Sequence, residues 1–125
     1  MTENEIAKEV VDASFAIHSQ LGPGLLESVY EILLADELGL RGLSVKQQEP
    51  ISIKFKGREF AEAFRADLII NDKVIVELKS VDALKPVHKK QLLTYLRLTE
   101  LKLGLLINFG EHLIKDGISR VANGL

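Results

Sequence analysis

The sequence predicts an α/β domain: one mixed β-sheet flanked by helices on both sides. Three observations predict it. Two segments with apolar residues every three or four positions open the chain. A long stretch from Ser44 to Ser80 alternates with period two, and a third helical segment then precedes an uninterrupted aliphatic run, Leu101–Gly110. A helix between the alternating strands and the last strand permits a crossover, so parallel pairing joins an otherwise antiparallel meander.

Thr2 and Glu5 have the spacing of a capping box, and Ile6, Val10, Ala13, Ile17 and Leu21 form the apolar stripe behind them, so the first helix starts there and ends at Gly22-Pro23-Gly24. A second helix through "LLESVYEILLADEL" is apolar on most sides, which predicts deep burial, with Gly39 as its stop. In "SVKQQEPISIKFKGREFAEAFRADLIINDKVIVELKS" turns are expected at Lys56-Gly57 and near Asn71-Asp72, and Pro50 suits a strand edge or a bulge because it cannot donate to a ladder. Val87, Leu92, Tyr95, Leu96 and Leu98 give the third helix, with Pro86 tolerated in its first turn. "LKLGLLINFG" reads as a strand buried on both faces, and "HLIKDGISRV" as strand or irregular chain.

With 125 residues, the chain is expected to form one domain, 1–125, around one core of Leu, Ile and Val. A formal net charge of −2 gives no global attraction to nucleic acid or to an anionic membrane, so phosphate binding requires a local patch or a metal. Without cysteine there are no disulfides, thiolate metal sites or thiol nucleophile. The acidic, amphipathic N-terminus differs from a signal peptide, and no stretch approaches the roughly 20 apolar residues of a membrane span. A cytoplasmic location without membrane partners is the expectation.

"RADLIINDKVIVELKS" carries acids where buried strands are usually apolar. Residues two apart on a strand share a face, so Glu77 and Lys79 point the same way as Ile75. If Asn71, Asp72 and Lys73 form a three-residue loop, Asp67 falls opposite Glu77 and joins that face; a two-residue loop sends the acids to opposite faces. The three-residue register leaves Leu68, Ile70, Val74, Val76 and Leu78 as a clean apolar face, and is the one expected. Opposed carboxylates repel, and a divalent cation such as Mg²⁺ relieves the repulsion with hard oxygen ligands. Lys79 beside it can orient or deprotonate a nucleophile or balance developing negative charge. The simpler alternative is a solvated sheet face on which Lys79 pairs the acids.

Asp67 followed by Glu77-Leu78-Lys79 across a hairpin resembles the signature of the PD-(D/E)XK nuclease superfamily. "GLLESVY", with Gly24, Glu27 and Tyr30, resembles the pattern of its GxxExxY branch, and "QLLTY", with Gln91 and Tyr95, resembles the Q-x-x-x-Y helix motif of its exonuclease-like relatives. Ala66 stands where the superfamily pattern has proline. The resemblance implies a restriction-endonuclease-like core (α-β-β-β-α-β). It also implies a metal-dependent hydrolysis of DNA or RNA phosphodiesters, in which Asp67, Glu77 and Glu27 hold Mg²⁺ or Mn²⁺, Lys79 is catalytic, and Gln91 and Tyr95 line the site.

Each supporting residue has a plainer reading. Glu27 can be a favourable first-turn charge, Tyr30 and Tyr95 core tyrosines, Gln91 a satisfied amide, and His88 a solvated histidine. Lys85, Lys89, Lys90, Arg97 and Lys102 form either a phosphate-binding patch or a solvated helix face. Phe55, Phe60 and Phe64, lacking interleaved cations, are expected in core or interface. The competing function is a non-catalytic nucleic-acid- or protein-binding module that retains the nuclease fold, with homodimerisation through a sheet edge.

Overall fold

The computed structural model describes residues 1–125. Helices α1 (Glu3–Leu21) and α2 (Glu27–Leu40) are followed by strands β1 (Val45–Phe55), β2 (Arg58–Ile70) and β3 (Val74–Lys79). Helix α3 (Pro86–Thr99), strand β4 (Leu103–Asn108), a 3₁₀ turn and strand β5 (Ile118–Ala122) complete the chain. The five strands lie in sequence order in one sheet. Only β3 and β4 are parallel, joined by the α3 crossover. The mixed sheet and its order match the expected restriction-endonuclease-like architecture.

The two faces of β3 explain the layers. Val74, Val76 and Leu78 join Leu68, Ile70, Leu105 and Ile107 in a core closed by Ile6, Val10 and Ala13 of α1 and by Tyr30, Leu34 and Leu38 of α2. On the other face Ile69, Ile75 and Leu106 pack against Leu92 and Leu96 of α3. The close approach of α3 needs a residue without a side chain at Gly104, where a Cβ would sit 2.9 Å from three atoms of Leu92. All of β4 is buried, as its continuous aliphatic run requires.

Local signals hold at several ends. Thr2 accepts from Glu5 N–H while Glu5 accepts from Thr2 N–H, completing the capping box. Pro86 begins α3, and β1, which contains Pro50, is an edge strand.

Two expectations fail, and of the two places expected for Phe55 and Phe60 the core is excluded. Gly39 lies within α2; the left-handed residue that breaks the chain's path is Gly42, at φ 86°. The helix is covered on one side only, so Leu26, Val29, Ile32 and Leu40 stay exposed although apolar. Phe55 and Phe60 are also exposed, because no layer covers the far end of the β1–β2 hairpin.

Candidate active site

The loop between β2 and β3 contains three residues, Asn71 and Asp72 with φ of 51° and 55°, and Lys73. The pairs Ile70↔Val74, Ile69↔Ile75 and Leu68↔Val76 follow from it, and the next pair in that register is Asp67 with Glu77. There the regular ladder stops. Asp67 N–H donates to Glu77 Oε2 at 3.0 Å, and Leu78 N–H donates to Asp67 Oδ2 at 2.9 Å. Each acid therefore accepts from the backbone of the opposite strand, which fixes both carboxylates at the point where the strands part.

A second irregularity aims Asp67. Phe64 and Ala66 pack on the α3 side together with Ile69, so the alternation along β2 changes phase between Ala66 and Ile69. Opposite, the β1 pairs Gln47↔Leu68 and Glu49↔Ala66 flank Gln48, whose φ is 47°. Gln48 Nε2 donates to Glu31 Oε1 at 2.6 Å and to Asp67 Oδ1 at 3.2 Å. Asp67 thus connects, through Gln48, Glu31 of helix α2 with Glu77 of β3.

Around the pair stand side chains from both helical layers. Glu27 opens α2, favoured there by the exposed N–H groups of the first turn. It lies on the rim of an open cleft of about 470 Å³ lined by Pro23, Gly24, Leu25, Leu26, Ser80, Val81, Asp82 and Gly110. A second hollow, which shares Leu26 and Glu27, adds Ser28, Glu31 and Gln48. From α3, Tyr95 stacks on Phe64 with ring centroids 3.8 Å apart.

The electrostatics of the cluster are those of crowded, partly dried acids. Burial pushes the Glu77 carboxyl up to about 9, reinforced by the charge of Asp67 and by an Asp67 carboxyl within hydrogen-bonding reach. Burial also raises Glu27 and Glu31, and Asp67 adds to both. The Tyr95 hydroxyl is raised by burial and then by Glu77 and Asp67, and its hydrogen bond with Gln91 opposes this. Lys79 counteracts the shifts of Glu27 and Glu77, and it belongs to none of the four ion pairs of the structure. His88 is lowered, first by burial and then by Lys79 and Lys85, and its Nδ1 accepts from Lys85 N–H.

Several expected residues therefore meet. Asp67 and Glu77 are adjacent, Lys79 moderates Glu77, and both acids raise the Tyr95 hydroxyl while Gln91 opposes that rise. Tyr30 serves elsewhere: fully buried and stacked on Phe109, it donates to Gly22 O and accepts from Leu25 N–H, pinning the loop that delivers Glu27. The grouping of Glu27 with Asp67 and Glu77 is looser than expected. No three His, Cys, Asp or Glu side chains converge into a ready cation cluster. Glu31 and Gln48 are the residues that sequence reasoning missed. Glu31 lies one helical turn from Glu27, a spacing that marks a shared stripe.

The donor set suits a hard divalent cation. A buried carboxyl crowded by a neighbouring carboxylate, with a single lysine in opposition, is a donor set that a divalent cation would fit. Mg²⁺ in particular needs only one or two protein carboxylates, with water completing its shell.

A model of the PD-(D/E)XK nuclease superfamily matches residues 4–121. The chain belongs to the PD-(D/E)XK nuclease superfamily. Searches among curated proteins and among solved structures returned no match. Nucleases of the PD-(D/E)XK superfamily generally use divalent metals and act on nucleic acid. The chain has no helix long and apolar enough to cross a membrane.

Proposed function

We propose that this protein is a divalent-metal-dependent nuclease of the GxxExxY branch that hydrolyses phosphodiester bonds in DNA or RNA. The observation that carries the reading is the convergence of Asp67 and Glu77 from adjacent strands, each carboxylate oriented by a backbone N–H of the other strand. Asp67 and Glu77, with Glu27 at the neighbouring cleft, would hold Mg²⁺ or Mn²⁺. When bound, the ion polarises a phosphoryl oxygen and makes water a better nucleophile at neutral pH.

The chain's own groups do the rest. Lys79, free of any ion pair, orients the attacking water and balances negative charge that develops on the phosphate. Gln91 and Tyr95 bound the site on the α3 side, and the Phe64 ring fixes the Tyr95 ring.

The test is cleavage of single- and double-stranded substrates with Mg²⁺ or Mn²⁺ by the wild type, Asp67→Ala and Lys79→Ala, alongside calorimetric Mn²⁺ binding. Asp67→Ala is expected to lose metal and activity together, whereas Lys79→Ala keeps the metal and loses activity. A folded wild type that neither binds Mn²⁺ nor cleaves any substrate would leave a non-catalytic binding module as the function.

A further inference from the structure

The β1–β2 hairpin outgrows the rest of the sheet. From Arg58 to Ala63 every residue is exposed, and no helix covers either face. At roughly 3.3 Å per residue, the Lys56-Gly57 turn lies about 30 Å along β2 from Asp67. The base of this arm is fixed beside the acids, because Phe64 stacks on Tyr95.

Its outer part overturns the expectation that these phenylalanines lack interleaved cations, because Lys54, Lys56 and Arg58 alternate with Phe55 and Phe60 along the hairpin. The pairs Ile53↔Phe60 and Phe55↔Arg58 place Phe55, Phe60 and Arg58 on one face of the ribbon. Phe55 is 67% exposed and Phe60 50%. Lys54, Lys56 and Arg58 lie near the turn outside any ion pair, Lys54 on the opposite face of the ribbon from the phenylalanines and across from Glu59, whereas Lys46 and Arg65 nearer the base are paired with Asp72 and Glu62. The Lys56 ammonium lies 5.6 Å from the centre of the Phe55 ring. In a chain of net charge −2, this places the unpaired Lys56 and Arg58 beside two exposed aromatic rings, joined to the acids by a continuous strand.

We propose that the arm grips nucleic acid with unpaired bases, Phe55 and Phe60 stacking on the bases while Lys54, Lys56 and Arg58 bind the phosphates. Stacking on aromatic side chains tolerates any base but needs its face uncovered, which a paired duplex denies. The cations favour a polyanion over another apolar surface. The inference rests on the nuclease reading of Asp67, Glu77 and Lys79, and adds to it a substrate class: single strands or frayed ends held across the arm toward the acids.

Fluorescence anisotropy in EDTA tests it without cleavage, using labelled single-stranded DNA, single-stranded RNA and blunt duplex DNA of one length over a salt series. The wild type is expected to prefer one or both single strands to the duplex. Phe55→Ala/Phe60→Ala should weaken single-strand binding roughly tenfold or more. Lys54→Gln/Lys56→Gln/Arg58→Gln should reduce the logarithmic salt slope by about 2. Both variants should keep the wild-type urea midpoint, since the side chains removed face solvent. Absence of binding by the wild type, preference for the blunt duplex, or unchanged binding by both variants overturns the proposal. So does a dimer that the double phenylalanine variant dissociates while nucleic-acid affinity stays constant, because the arm is then a self-interface. Arm-dependent binding by a protein that never cleaves refutes the catalytic reading alone; cleavage with arm-independent binding refutes this proposal alone.

Discussion

Replacing Glu77 with Gln should stabilise the metal-free protein, increasingly so as pH rises. Glu77 is 8% exposed, and its carboxyl is pushed from the 4.5 of a free glutamate to about 9, first by burial and then by Asp67. Between those values the folded chain holds a proton that the unfolded chain has released, so stability falls with rising pH. The contribution is complete below pH 4.5 and lost as pH climbs through 9. At 1.36 kcal/mol per unit, the loss reaches about 3 kcal/mol at pH 7 and about 6 kcal/mol at pH 9, large beside a typical domain stability of about 5–15 kcal/mol. A glutamine keeps an oxygen to accept Asp67 N–H and turns an amide donor toward the Asp67 carboxylate, without titrating. Urea unfolding in EDTA across this range, for wild type and Glu77→Gln, should show curves that meet near pH 4.5 and separate by about 3 kcal/mol at neutrality. Saturating Mn²⁺ should restore stability to the wild type and leave the variant unchanged. A pH-independent difference between the two proteins would refute the reasoning, because it would show that Glu77 titrates alike in the folded and unfolded chains.

Other perturbations probe the parts that hold this site in place. Lys79→Ala should shift the titration of Glu77 further upward, since Lys79 opposes its rise, and should lower cleavage on the order of 100-fold or more; the pH dependence of urea unfolding reads the first effect and initial rates the second. Tyr30→Phe removes the hydroxyl that joins Gly22 O and Leu25 N–H while keeping the stack on Phe109, with an expected loss of about 1–3 kcal/mol in urea unfolding. Asn108→Ala leaves the N–H groups of Val81 and Gly110 and the carbonyl of Val81 without their partner. It should cost about 3 kcal/mol or more and speed amide exchange at Val81, where the chain leaves β3.

The layers and the acid pair were legible because period two and period 3.6 report burial directly. Asn71-Asp72-Lys73 between two clean alternations fixed the register, and that register decided which face Asp67 shares. Gln48 was hidden for a different reason. Counting back from the Lys56-Gly57 turn puts Gln48 opposite Arg65, but the pairing Ile51↔Phe64 after Ile53↔Phe60 holds two extra residues on β2 and moves Gln48 opposite Asp67. Nothing local in "REFAEAFRAD" marks that bulge. Glu31 was obscured because a glutamate among "YEILLADEL" reads as the solvated side of a helix, whereas it is 9% exposed under β1. The exposure of Phe55 and Phe60 escaped as well, since hydropathy alone reports what a residue prefers and not whether a second layer reaches it.

Function and stability conflict most at the acid pair, and the surrounding structure shows how the fold tolerates this. The core on the α1–α2 face is closed by aliphatic residues and the Tyr30–Phe109 stack, so the cost of burying Glu77 falls on a site whose other supports are independent of it. Backbone N–H groups, and not cations, orient Asp67 and Glu77. A permanent lysine or arginine partner would hold Glu77 ionised without any metal, whereas two amide donors hold the geometry and leave Glu77 protonated until a bound cation would displace its proton. Lys79 is near enough to moderate Glu77 yet outside ion-pair distance of it, so its ammonium stays available to a phosphate. An Asp67–Lys79 ion pair in the metal-free protein, detectable as a Lys79 ammonium signal lost on Asp67→Asn, would show that the site relieves its own charge and has no need of a cation.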